Sequence, residues 1–263
     1  MANKDIVPTL LDARKIRTTL NEKGETAYCL SDVFGTFVGT ERTRRYIYDV
    51  RKSLEKQGIQ LSDLIGHFKF RAGNGKTYEM WGGTREQIFR ILEESHSPKL
   101  APVKAGLAHL ANERVEEIEN PARGIENSLH RWKEMGKSDP WIDARVKGIG
   151  IRKEETAVLQ SHGISQPKDF AHFTDRTNVA VYGHTAKVEK AIRKVGKNQS
   201  LRDSSTQTEL VLLSLHETAC ATGIEKTDAY GRPQIDGVYD VVGGIISNTK
   251  QALERAFEGM AQA

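Results

Sequence analysis

Strand signals stop early in this chain, and that asymmetry limits its fold more than any other feature. Lys15–Leu20 and Thr26–Leu30 alternate in polarity around Asn21-Glu-Lys-Gly24. Phe68–Arg71 and Thr77–Trp81 do the same around Ala72-Gly-Asn-Gly75. Period-two alternation interrupted by glycines that tolerate positive φ predicts two β-hairpins. Beyond Asn120-Pro121 such runs nearly vanish and three- and four-residue apolar spacing takes over. A proline pushes the residue before it away from helix, so this pair is the expected domain boundary. The 263 residues suit two small domains. The expected fold is α+β: an N-terminal domain of β-hairpins and helices over residues 1–120, then a mostly α-helical domain over 121–263.

Within the first domain, Ser31 is expected to cap a helix Asp32–Val38 that Gly39 stops. A second helix spans Arg42–Gln57, with Tyr46, Ile47, Val50 and Leu54 on one stripe and Gly58 as the stop. Leu61–Ile65 reads as a helical turn, and Thr84 opens a helix to Glu94. Ser97-Pro98 starts the next helical stretch, whose regular part can begin at Pro102, because a proline is accepted only in the first turn. In the second domain helices are expected at Ala122–Met135, Pro140–Lys147, Arg152–His162, Thr185–Val195 and a buried Thr206–Thr222. A last stripe runs through Val238, Val241, Ile245, Thr249, Ala252 and Phe257. Gly243-Gly244 sits within it and calls for another helix packed closely there.

Several functions are poorly served by this sequence. No run of about 18 apolar residues occurs, so no membrane span is expected. The opening MANKDIVPTLLDARKIR lacks the apolar core of a secretory signal. Cys29 and Cys220 form neither a disulfide framework nor a zinc-ligand pattern, which suits a cytoplasmic protein. The eight histidines show no metal spacing, and phosphate-loop, nucleophile-elbow and dinucleotide fingerprints are missing. No cofactor, metal or catalytic residue is therefore expected. Gly148-Ile-Gly150, between Lys147 and Arg152, reads as a turn between two helices; a helix-hairpin-helix phosphate contact is its alternative.

Charge is unevenly spread. Net charge is only +4, yet Thr40–Lys76 holds nine basic residues against four acidic ones. Tyr182–Arg202 holds six against one. Clustered cations neutralise phosphates and release counterions. Arg44, Arg45, Arg51 and Lys52 lie mostly off the apolar stripe of their helix, so they are candidates for phosphate contact together with Arg42. Arg71 and Lys76 flank the glycine-rich hairpin tip and could enter a groove. Among the aromatics nearby, Tyr46, Phe68 and Phe70 are assigned to the core. Tyr48 is the better candidate for an exposed ring beside cations.

Several ordered motifs resemble a known family. They are Tyr28-Cys-Leu-Ser-Asp-Val-Phe34, Arg44-Arg-Tyr-Ile-Tyr-Asp-Val-Arg-Lys-Ser-Leu54, Ser97-Pro-Lys99 and Glu113-Arg-Val-Glu-Glu-Ile-Glu-Asn-Pro121. Together they resemble the Bro-N domain of phage antirepressors and large-virus BRO proteins, most nearly the DNA-damage-inducible protein D group of bacteria and prophages. Asp139-Pro-Trp-Ile-Asp-Ala-Arg145, Leu201-Arg-Asp203 and Gly243-Gly244 resemble that group's helical C-terminal region. The chain departs from the pattern at Val103-Lys-Ala-Gly-Leu107, where a bulkier aromatic run is usual. The resemblance implies an α+β domain that contacts DNA or a regulatory protein.

The expected function is that of a non-enzymatic, DNA-binding regulatory protein of prophage or DNA-damage-response type, acting in transcription regulation. The alternative is an antirepressor-type module that captures a repressor or a recombination protein. Its surface would be the helical C-terminal region, with Val238–Phe257 pairing with that partner or with a second copy. A metal-dependent nuclease with dispersed ligands is a third reading. Chelator-sensitive plasmid cleavage that tracks the protein through purification would establish it.

Overall fold

The computed structural model describes residues 16–196 and 199–261. Lys15 and the rest of the opening segment, and Lys197 of the second basic cluster, lie outside the described residues. The chain divides into two compact units, 1–124 and 125–263.

The first unit is built on a four-stranded antiparallel sheet in the order β1-β2-β4-β3. Strands β1 (Thr18–Leu20) and β2 (Thr26–Cys29) form the first hairpin. Strands β3 (Gly66–Arg71) and β4 (Thr77–Gly83) form the second. β2 joins them by pairing with β4 at Tyr28↔Gly83 and Cys29↔Gly82. Between the hairpins lie α1 (Leu30–Val38), a 3-10 turn Thr40–Arg42, α2 (Thr43–Lys56) and α3 (Leu61–Leu64). After β4 come α4 (Arg85–Glu94), a 3-10 turn Pro98–Leu100 and α5 (Ala101–Glu119). Leu30, Val33 and Phe34 of α1 meet Val50 and Leu54 of α2, and Ile88, Ile91 and Leu92 of α4, in one core.

Local chemistry explains most of these boundaries. Thr84 caps α4 through a reciprocal exchange with Gln87. Ser97 caps only the 3-10 turn; the regular helix begins at Ala101, which leaves Pro102 in the first turn. Ser31 is not a cap, because α1 starts one residue earlier, after Cys29 and without a side-chain cap.

The second unit contains helices only among its described residues. α6 (Pro121–Glu134) leads into it, followed by α7 (Asp139–Ser161), α8 (Pro167–Tyr182), α9 (Ala186–Ile192), α10 (Gln207–Thr227) and α11 (Gly231–Ala261). α10 packs against α7, α8 and α11, and α11 also packs against α8. Two apolar clusters result, one around Trp141, Val181 and Leu213, the other around Leu159, Phe173, Ile224 and Tyr239.

This unit departs from the sequence expectations at several places. The Gly148-Ile-Gly150 segment is neither a turn nor a helix-hairpin-helix: it lies inside the continuous 23-residue α7. Gly148 serves packing, since a Cβ there would come within 3.2 Å of Ser214 Oγ on α10. α10 is not buried all round, because Val211 and Leu215 face solvent. The period of α11 is as expected but its buried face is not. Ile235, Tyr239 and Ile246 are buried, while Val241, Ile245 and Phe257 are exposed. Ile235, Tyr239, Val242 and Ile246, at steps of four, three and four residues, form the inward stripe, and within it the Tyr239 hydroxyl donates to Glu155. The close approach expected at Gly243-Gly244 is not found: a Cβ on Gly243 would lie 3.6 Å from Ala180 Cβ on α8, an ordinary contact, and one on Gly244 would meet nothing within 4 Å. No helix among the described residues is long and apolar enough to cross a membrane.

Candidate nucleic-acid interface

All seven sequence-predicted contact residues, Arg42, Arg44, Arg45, Arg51, Lys52, Arg71 and Lys76, are exposed. They fall on two elements. Arg44, Arg45, Arg51 and Lys52 stand on the outer face of α2, and Arg42 closes the 3-10 turn before it. Val50 and Leu54 turn the other face inward, against α1 and α4. The helix therefore keeps its cations in water while its apolar stripe anchors it. Arg71 and Lys76 flank the tip of the β3–β4 hairpin. There Gly75 takes φ +79°, and the Lys76 amide donates to Asn74 Oδ1 at 3.0 Å. α1 and α4 pack against both α2 and β4, so the two groups share one support.

The cations on α2 differ in how they are engaged. Arg51 Nε and Lys52 Nζ each reach Glu55 at 2.9 Å. The Lys52 contact, followed by Arg51, holds the Glu55 carboxyl below the usual carboxylate range, and Glu55 in turn raises Lys52. Arg42, Arg44 and Arg45 make no ion pair among the described residues. Exposed pairs of the Glu55 kind are weak and exchange readily with water or another anion.

Sequence reasoning missed two neighbours of this surface. Register places His67, Lys69 and Arg71 on one side of β3, opposite Trp81, Glu79 and Thr77. His67 stands edge-on to Trp81 with ring centroids 3.9 Å apart. The two-residue spacing of His67, Lys69 and Arg71 was the available signal. On the other side Phe70 is fully buried and Phe68 half-buried, with ring centroids 6.3 Å apart.

The second basic cluster behaves differently. Arg193 Nη2 reaches Glu209 and its Nε reaches Glu189, both at 2.6 Å. Arg202 pairs with Glu217, whose side chain is 0% exposed. Arg152 joins Glu217 at 3.2 Å and Glu155 at 2.7 Å. Arg193 and Arg202 of this cluster are thus turned inward on Glu209 and Glu217 of α10, and Arg193 also on Glu189 one turn before it. Among the described residues, Lys187 and Lys194 remain exposed. No group of His, Cys, Asp and Glu suited to a metal ion is found among the described residues.

No protein-family model matches the chain, so the Bro-N resemblance rests on its short motifs. A curated relative does match: the chain is 27% identical over 116 residues to DNA damage response protein C of Deinococcus radiodurans. The match takes 44% of this chain and 47% of that protein, so it spans less than half of each.

Proposed function

We propose that this chain is a non-enzymatic DNA-binding protein of the DNA-damage response. The contact surface is the outer face of α2 together with the β3–β4 hairpin tip. The observation that carries this reading is the exposed row Arg44, Arg45, Arg51 and Lys52 on a helix whose opposite face is anchored in the core. The name of the Deinococcus relative supports the damage-response setting. Phosphate contact by such a row gives affinity without sequence preference, because base edges are needed for readout. Reversing three charges in Arg44→Glu/Arg45→Glu/Arg51→Glu is expected to abolish binding to a labelled oligonucleotide at moderate salt. Unchanged affinity in that variant would end the assignment.

A second reading is favoured by a different observation. Val241 and Ile245, one turn apart on α11, are 66% and 60% exposed. That stripe suits capture of a repressor or recombination protein, or pairing of two copies. Val241→Glu/Ile245→Glu should then lose the partner and keep DNA binding.

A further inference from the structure

The four helical neighbours of Tyr48, at i−4, i−3, i+3 and i+4, are Arg44, Arg45, Arg51 and Lys52. Side chains at these spacings stand about 5–6 Å apart at Cβ. The tyrosine ring therefore sits at the centre of the basic face. It is 57% exposed, and Lys52 Nζ lies 5.8 Å from its centroid. Tyr46, two residues earlier, is half-buried against the core and its hydroxyl meets Ser97 Oγ at 3.3 Å. Tyr78 on the hairpin has its hydroxyl engaged by Asn74. Tyr48 has no such internal contact among the described residues beyond the lysine over its ring.

A large ring held in water within a rim of cations is poorly suited to an apolar protein partner. Seating such a partner would strip water from four charges. It fits a ligand that offers a flat π face and phosphates within a few ångströms of one another, which is a nucleotide strand. In a duplex the base faces are already stacked on each other. Only an unpaired base can offer one to a ring on a convex helix surface.

We propose that Tyr48 is the stacking residue of this face, and that its preferred ligand is DNA with unpaired bases. This rests on the DNA-binding reading above and adds the strand form and the residue that selects it. The rim arginines and lysine hold the phosphates of either strand form; Tyr48 distinguishes them.

The test is fluorescence anisotropy on the full chain with a labelled oligo-dT and a fully paired duplex of equal length at one salt concentration. Tyr48→Ala should weaken oligo-dT binding by roughly 5- to 150-fold, the range for losing one base–aromatic stack. Duplex binding should change less than about twofold, and Tyr48→Phe should retain the oligo-dT affinity. Tyr48 is outside the core, and circular dichroism of the variant checks that the fold survives. Equal weakening of both strand forms, or no weakening of either, overturns the role of Tyr48 alone. If the wild-type chain binds neither form, the DNA-binding reading falls and this one with it.

Discussion

Two stretches of this chain carry similar excesses of positive charge, and their arginines are placed in opposite ways. Between residues 40 and 76 the arginines stand in water on α2 and at a hairpin tip. In the helical unit Arg152, Arg193 and Arg202 turn inward onto Glu155, Glu189, Glu209 and Glu217. The first set can release counterions to a polyanion. The second set is occupied in neutralising carboxylates that burial would otherwise make very costly. Charge density along a sequence therefore locates candidates, and the position of the acids in space sorts them.

The strongest way to break this contrast is to unpair the inward set. Arg202→Met leaves Glu217 with Arg152 alone inside the helical unit, and should cost about 3–5 kcal/mol of stability in chemical denaturation. Arg202→Met/Glu217→Leu should recover much of that loss, because no buried charge is then stranded. A loss below about 1 kcal/mol for the single variant would place Arg202 with the surface cations.

The pH dependence of the helical unit sharpens the contrast further. Burial pushes the Glu155 carboxyl up to about 7, against the pull of Arg152 and with Glu217 adding to the rise. Tyr239 donates to it and Arg202 also faces it. Burial, with Arg176 nearby, pulls His216 down to about 4. The two act in opposite directions. Between about pH 4.5 and 7 the unfolded chain releases the Glu155 proton that the folded chain keeps, so this group makes stability fall as pH rises. Between about pH 4 and 6.5 the unfolded chain takes up a proton that folded His216 refuses, so this group makes stability rise. The wild-type profile should be nearly flat where they overlap. Glu155→Gln should expose a rise of up to about 1.4 kcal/mol per pH unit, and His216→Asn a comparable fall. Parallel profiles for all three proteins would mean neither group is held away from its ordinary titration.

Smaller effects are expected where nothing is packed. Gly244 faces open space within α11, so Gly244→Ala should stabilise the unit by about 0.5–1 kcal/mol. Least of all, Arg44→Ala/Arg45→Ala should leave the melting free energy of the first unit within about 0.5 kcal/mol, as for solvated side chains generally.

What was legible in the sequence follows the range of the interactions involved. The hairpins and the caps at Thr84 and Thr206 depend on residues a few positions apart, and the sequence displays them. The outer face of α2 was legible for the same reason, since one stripe fixes both sides of a helix. The rotation of α11 was not, because two apolar stripes run along it, and the inward one includes Tyr239, whose partner Glu155 is 84 residues away in sequence. Helix α8 was overlooked because its buried face includes Thr177 and Asn178, which an apolar count passes over. The fate of Arg193 and Arg202 was hidden too: Glu209 and Glu217 lie 16 and 15 residues further on, beyond any helical spacing.

The measurement that tests the central claim most directly is the salt dependence of duplex-oligonucleotide binding for the wild-type chain and for Arg44→Ala/Arg45→Ala. Each duplex phosphate neutralised contributes about −0.9 to the slope of log K against log salt. The wild-type slope should be about −3 to −6, made shallower by about 1.8 in the double variant at unchanged fold stability. A slope identical in the two proteins would contradict the claim, because the outward cations of α2 would then be no more engaged with DNA than the arginines paired with carboxylates in the helical unit.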